Sequence, residues 1–349
     1  MTEASIGRLK RFAGATRTTF AWRRGISVLM ATQDEEYVVA LAIRSFLPLA
    51  DEIIVVDNGS RDATKRIARM LAERHPEKVR FFDRPDLPDL HHNRAFALEQ
   101  ARFEWVVRAD SDYVCHTDGP LSIAAFRDFV LSIRRGIQPE VIWVPQVNVL
   151  GDFLHTGTAM RPGGYRKNPE RQYVFDVTSP PMPRVYRRFP GFAFVRRKRR
   201  ETTRFLGVMK SMTWPQPLWM HCTIKSDMNL FRRSERTDWR ELGDYARYPT
   251  LDSYLLERLP EKYGTHNVEQ AAERYVREHV LAHLEPYAER GTYPYPKLVS
   301  EQIERNPIFR IETGPDGVRR RFLGFDPERD GLDAADAASL QARKPRSQP

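Results

Sequence analysis

The chain has 349 residues, 41% of them hydrophobic and 29% charged, with two cysteines and a net charge of +10. That composition suits a globular protein with a sizeable core, one large domain or a domain plus an appendage. It excludes a membrane-spanning helix, since no run approaches the roughly 18 apolar residues a span needs, and it excludes a disulfide framework.

Residues 1–23 are basic and poorly patterned and read as an N-terminal arm. Ile26-Ser27-Val28-Leu29-Met30 is then a short apolar strand running into Ala31-Thr32-Gln33-Asp34-Glu35-Glu36. Val39, Ile43 and Phe46 follow at helical spacing, closed by Pro48 and Asp51. Glu52-Ile53-Ile54-Val55-Val56-Asp57 is a second strand, apolar enough to be covered on both faces. Asn58-Gly59-Ser60 supplies turn chemistry, and Ser60 or Asp62 can cap a helix whose buried stripe is Ala63, Ile67, Met70 and Leu71. Val79–Phe82 is a third strand, and Asn93–Ala101 a helix leading into a fourth, Glu104–Ala109. That fourth strand delivers Asp110-Ser111-Asp112 to its end, where alternate residues point to the same face.

Strands alternating with helices predict an α/β fold, a mostly parallel sheet with helices on both faces and ligands at the carboxyl ends of the strands. Thr32, Asp57 and Asp110 all fall at such ends. Beyond residue 112 the pattern loosens. Val141–Val144 reads as a strand, 151–183 as a Gly- and Pro-rich excursion or lid, and Arg184–Val195 as a hairpin about Pro190-Gly191. After Trp214 the chain passes His221, Lys225, Arg232, Arg233 and Arg236 and turns helical, with Asn267 and Gln270 resembling a capping box for a helix reaching Leu284. Residues 327–349 are charged, then Pro-rich, and read as a disordered tail.

Hard divalent cations prefer oxygen ligands, and in phosphate chemistry one or two carboxylates plus the phosphates hold Mg²⁺ or Mn²⁺. Asp110-Ser111-Asp112 can supply such a set. The basic balance points to an anionic partner: a nucleotide, a lipid head group, a nucleic acid or an acidic glycan. Much of the charge lies in Arg184–Arg204, which contains a single acid, Glu201. No G-x-G-x-x-G or phosphate-loop Gly-Lys-Ser/Thr is present, which argues against a dinucleotide-binding dehydrogenase. A nucleotidyltransferase would want a Gly-rich loop where Ala31-Thr32-Gln33-Asp34 stands.

Ile26–Thr32 with Asp34-Glu35-Glu36, then Val55-Val56-Asp57-Asn58-Gly59-Ser60-Arg61-Asp62-Ala63-Thr64, then Asp110-Ser111-Asp112, resemble glycosyltransferase family 2. The resemblance covers about residues 24–236 and implies the Rossmann-like GT-A fold, with 237–326 left as a mainly helical C-terminal region. It further implies an inverting, metal-dependent transfer of a sugar from a nucleoside diphosphate, UDP above all, to an unidentified acceptor. Asp110, Asp112 and His221 are then expected to hold Mn²⁺ or Mg²⁺. Asp57 is expected at the nucleoside, or as a carboxylate capping the next helix; Thr32 and Glu35 at the nucleoside pocket or as turn residues. Ser111, Arg94, Lys225, Arg232 and Arg236 complete the nucleotide-sugar set, although Asn93-Arg94 inverts the family's usual Arg-Asn order. Pro183-Arg184-Val185-Tyr186-Arg187 followed by Arg200-Glu201 resembles the block that precedes the general base, with Arg200 in place of the usual His. Glu201 is the candidate base, or a charge-balancing acid in a basic loop; Asp176 and Asp152 are fallbacks. The resemblance leaves the acceptor open among a glycan, a lipid-linked group, a protein and an anionic molecule, with nucleic acid entering only in that role. The alternative reading is a basic nucleic-acid-binding protein on a GT-A scaffold. Reduced thiols and a start without a signal peptide's hydrophobic region predict a cytoplasmic protein.

Overall fold

The computed structural model describes residues 22–330 except 88, 158–177, 198–199, 206, 291–292 and 316; the side chains of 178–180, 196–197, 200–201 and 289–290 also lie outside the description. The strand read first is β1 (Arg23–Thr32), buried from Gly25 onward. It lies between β2 (Glu52–Asp57) and β4 (Phe103–Asp110), with β3 (Val79–Asp83) outside β2, and these four strands are parallel. Helices α1 (Val39–Phe46), α2 (Thr64–Arg74) and α3 (Leu90–Gln100) join them in βα order.

Alternation along the strands sends neighbouring side chains to opposite faces. Ile26, Val28, Met30, Val55 and Val107 pack with Phe46 of α1, Ile67 and Leu71 of α2, and Phe126 and Val130 of α4 (Ile123–Ser132). Leu29, Ile54, Val56 and Val106 pack on the other face with Ala97 and Leu98 of α3. Helices therefore cover both faces, as the apolar runs require. Register makes the strand ends level: Thr32 stands opposite Asp57, and Ala31 opposite Asp110.

The far half of the sheet is mixed. After β5 (Tyr113–Cys115) come β6 (Glu140–Leu150), β7 (His155–Gly157) and β8 (Thr178–Arg187), and β8 runs antiparallel between β4 and β6. The hairpin expected over Arg184–Val195 is not formed. Both edges of β8 are occupied, so β9 (Ala193–Arg197) pairs instead with β10 (Arg200–Arg204). Strands β11 (Lys210–Thr213) and β12 (Trp219–Thr223) both run parallel to β6, and β5 closes the edge antiparallel to β12.

Helix α5 (Asp227–Leu242) starts directly after β12, capped by the Ser226 hydroxyl, which accepts from the Asn229 amide at 3.2 Å, and stops at Gly243 in the left-handed region. It packs through Phe231 against α6 (Leu251–Tyr263) and α7 (Val268–His279). Asn267 caps α7 by accepting from the Gln270 amide, while the Gln270 side chain bonds Thr265. The helix expected to reach Leu284 ends at His279, because Leu284–Pro286 (β13) is drawn into pairing with β7. Beyond α8 (Tyr287–Arg290) and α9 (Lys297–Arg305) the chain forms a hairpin of β14 (Phe309–Gly314) and β15 (Gly317–Phe322), which composition alone did not separate from the helices. Arg320 of that hairpin donates to the carbonyls of Gly151 (2.7 Å) and Lys225 (2.6 Å) and pairs with Asp227. The last strand among the described residues thus fixes the start of α5.

Candidate active site

A cleft of about 240 Å³ opens at the carboxyl edge of the sheet, lined by Gln33, Asp34 and Glu35 after β1, Asn58 after β2, Asp110, Ser111 and Asp112 after β4, and Lys225 with one face of α5.

On its acidic side, Asp110 is gripped by two buried cations from distant elements, Arg94 of α3 and Arg184 of β8, the latter at 3.7 Å. Arg184 also donates to the Tyr113 hydroxyl at 2.6 Å. Burial opposes the charge of Asp110, but Arg94 and Arg184 outweigh it and hold the carboxyl far below its ordinary range. Asp112, 2% exposed, is held differently. Its Oδ2 lies 3.1 Å from His221 Nε2 and 3.8 Å from Arg233, while its Oδ1 is buried without a hydrogen-bond partner. Burial again works against ionisation, and His221, Arg233 and Lys225 overcome it, so this carboxyl too sits below its usual value. Asp110, Asp112 and His221 do not converge as three ligands: among the described residues no group of three His, Cys, Asp or Glu side chains forms a metal-binding cluster.

Glu35 pairs with Lys225, which is 3% exposed and also reaches the Asp34 carbonyl at 3.3 Å. Burial, reinforced by Asp112, pushes the Glu35 carboxyl up to about 7 against the pull of Lys225 and Arg233. Thr32 is buried beneath the cleft with its hydroxyl unpartnered. Asp57 does not face the cleft. Its Oδ1 accepts from the amides of Gly59 (2.9 Å) and Ser60 (2.8 Å), and its Oδ2 from the Ser60 hydroxyl. Asp57 therefore closes its own turn and does not cap α2, which begins at Thr64, and the residue that lines the cleft is its neighbour Asn58. With Ser60 so used, Asp62 supplies the acceptor at the start of α2, bonding the Thr64 amide at 2.9 Å.

The basic side is α5. Arg232, Arg233, Arg236 and Arg240 all line the cleft. Arg232 is tied to Asp252 at 2.5 Å, Arg236 to the Gln33 side chain, and Arg233, whose side chain is 53% exposed, leans toward Asp112. Sequence reasoning named Arg232 and Arg236 but passed over Arg240 as a cleft residue and gave Arg233 no role. The i, i+4, i+8 spacing of 232, 236 and 240 was the available signal. Arg184 was quoted only as part of a motif, and nothing local shows that it reaches Asp110 from across the sheet.

Residues 27–126 match the sequence model of "Glycosyl transferase family 2". That segment is similar to glycosyltransferase family 2, over 100 of the 349 residues. The matched span runs from within β1 through β5 and holds the acids of the cleft, Asp34, Glu35, Asp110 and Asp112. Curated proteins give no match. Among solved structures, glucosyl-3-phosphoglycerate synthase from Mycobacterium tuberculosis, crystallised with Mn²⁺, UDP and glucosyl-3-phosphoglycerate, is 27% identical over 34% of this chain and 43% of that one, with a TM-score of 0.26. S. aureus TarS 1–349 is 14% identical over 85% of this chain and 96% of that one, with a TM-score of 0.35. The likeness to family 2 is that of the sequence over residues 27–126.

Outside the family 2 match, Glu201 lies on β10 opposite Arg196, and its side chain is outside the described atoms. Asp176 is outside the described residues. Asp152 is unsuited to act as a base: it is fully buried, with Oδ1 bonded to the Leu154 amide and His155 and Oδ2 to the Ile311 amide. It fastens β14 to the sheet. No helix among the described residues is long and apolar enough to cross a membrane.

Proposed function

We propose that the protein is an inverting glycosyltransferase that moves a sugar from a nucleoside diphosphate, with UDP-sugars the first donors to test, to an acceptor hydroxyl. The observation that carries this is the pairing across one cleft of an ionised Asp112, whose Oδ1 is buried without a partner, with Lys225 and Arg233. A buried carboxylate oxygen left unsatisfied is costly, and a hard divalent cation held there would satisfy it.

Asp112 and His221 are the residues that would hold Mn²⁺ or Mg²⁺, with phosphates and water filling the other positions. Such an ion stabilises the charge that gathers on the departing diphosphate. The chain's own cations serve the same end: Arg233 beside Asp112 can neutralise the leaving group, whereas Lys225 is shared with Glu35 and the guanidinium of Arg232 is committed to Asp252. Arg94 and Arg184 keep Asp110 ionised and hold the end of β4 still, so that Ser111 and Asp112 present to the cleft at a fixed angle. Glu201 is the proposed base that takes the acceptor proton opposite the leaving group.

The test is a thermal-shift screen of nucleoside diphosphates and their sugars, with and without Mn²⁺, on wild type and Asp112→Ala. A metal-dependent rise for one nucleotide, lost in the variant, supports the reading; salt-sensitive binding of DNA or RNA that Asp112→Ala leaves intact, with no nucleotide response, overturns it. Glu201→Gln should retain donor binding and lose transfer, and normal turnover by that variant would place the base elsewhere.

A further inference from the structure

The edge of the sheet opposite the cleft exposes apolar side chains that the fold does not use. Strand β8 runs antiparallel to both β4 and β6, so β6 starts at the edge where β4 starts, and β11 runs parallel to β6. The chain enters β6 through Gly136-Ile137-Gln138 and β11 through Gly207-Val208-Met209. Ile137 is 93% exposed and Val208 76%, the two highest values for large hydrophobic side chains among the described residues. Sheet pairing sets the two loops side by side: Lys210 stands opposite Glu140, and its amide donates to the Pro139 carbonyl at 2.8 Å. Cations flank both tips. Arg134 and Arg135 are exposed just before Ile137 and form no ion pair among the described residues, while Lys210 is 55% exposed beside the buried Glu140, which it shares with Arg187. Strand β1 begins at the same edge with exposed Arg23 and Arg24, and Arg24 bonds the Leu131 carbonyl of α4 at 2.9 Å. Asp128 is an exposed acid of this stretch and lines a shallow groove with Arg24. Residues 1–21, which join the sheet here, hold Arg8, Lys10, Arg11 and Arg17 against the one acid Glu3.

We infer that this edge docks the protein on an anionic lipid surface, with Ile137 and Val208 entering the boundary between headgroups and acyl chains and Arg134, Arg135 and Lys210 set against the lipid phosphates. Apolar tips without a partner in the fold gain by leaving water, and basic side chains are drawn to anionic headgroups over the range of a Debye length. Reversible membrane anchoring takes two such signals, apolar insertion together with positive charge. A nucleic acid would answer the cations and leave both apolar tips in water, which favours lipid as the partner. The cleft opens at the other edge of the sheet and faces away from the docked surface, so the inference stands independently of the glycosyltransferase reading.

Sedimentation of the full chain with vesicles tests this, using phosphatidylcholine alone and phosphatidylcholine mixed with phosphatidylglycerol. Wild type should sediment with the mixed vesicles and bind phosphatidylcholine alone about tenfold more weakly or less. The double variant Ile137→Ser, Val208→Ser should weaken binding to mixed vesicles by about tenfold, the scale of one aliphatic side chain returned to water. Arg134→Gln with Arg135→Gln should weaken it by a similar factor. Both variants should keep the wild-type urea midpoint, since the altered side chains lie in solvent. Failure of wild type to sediment, equal binding to the two vesicle types, or binding indifferent to either double variant overturns the inference. Binding lost with the arginines but kept without the apolar tips would mark a surface for polyanions of any kind, and a lowered urea midpoint would mean that the tips are packed within the fold; each result also counts against it.

Discussion

Strands β2 and β4 flank β1, and each brings an aspartate to the same edge of the sheet, yet the two ends have opposite fates. After β2, the Asn58-Gly59-Ser60 turn folds back and gives Asp57 three donors of its own, so the carboxylate is consumed within four residues of chain. After β4, the Asp110-Ser111-Asp112 turn supplies no such donors. Its carboxylates are met by side chains from α3, β8, β12 and α5, and one oxygen, Asp112 Oδ1, remains unmatched at the cleft. In this sheet the aspartate whose own turn satisfies it is absent from the cleft lining, and the one whose turn does not keeps an unmatched oxygen there.

The contrast can be broken by mutation. Arg94→Met should have the largest effect on stability, because it strips a buried partner from Asp110; breaking such a pair costs about 3–5 kcal/mol, readable as a shift in the urea midpoint. If the loss is negligible, Arg184 alone suffices for Asp110. Next is Asp57→Ala, which leaves buried donors in the Gly59–Ser60 turn unsatisfied at about 1–3 kcal/mol; the same denaturation series checks it. Asp112→Asn should cost less, within about 1 kcal/mol, since the amide still presents an acceptor to His221. Metal-dependent nucleotide binding should nonetheless fall by at least the roughly 10–100-fold that losing even an outer-shell metal partner costs. A destabilised Asp112→Asn alongside an undisturbed Asp57→Ala would reverse the comparison.

The subtlest effect is one of pH. The Glu35 carboxyl is raised from 4.5 to about 7, chiefly by burial, so the folded state holds its proton over a range where the unfolded chain has released it. Its contribution to stability is fully present below 4.5 and is lost as pH rises through about 7. Glu35→Gln should flatten the stability profile across that window, and an unchanged slope in urea midpoints would show that Lys225 keeps Glu35 ionised throughout.

The first half of the molecule was legible because its signals are local. Apolar runs at Ile26–Met30, Glu52–Asp57 and Glu104–Ala109 separated by helical spacing report a parallel sheet directly, and register then carries Thr32, Asp57 and Asp110 to one edge. The second half was less so. That β8 lies between β4 and β6 and leaves β9 to pair with β10 depends on which strand edges are already occupied, a property of the assembled sheet. The same holds for the site. The acids of the β4 turn, with His221 and Lys225, stand in the cleft or against its acids as expected, whereas Asp57 turns inward because Ser60 is placed to bond it rather than to cap α2.

What the sequence determined by itself was the α/β order, the edge at which the cleft opens and the acidic residues delivered there, because strand alternation and turn chemistry act over a few residues. Only the tertiary structure decided which carboxylate keeps an unmatched oxygen, that Arg94 and Arg184 neutralise Asp110, and that Arg233 and Arg240 line the cleft. Those outcomes depend on charges brought together from residues 94, 112, 184 and 225–240, and electrostatic energy is set by distance in space rather than by separation along the chain.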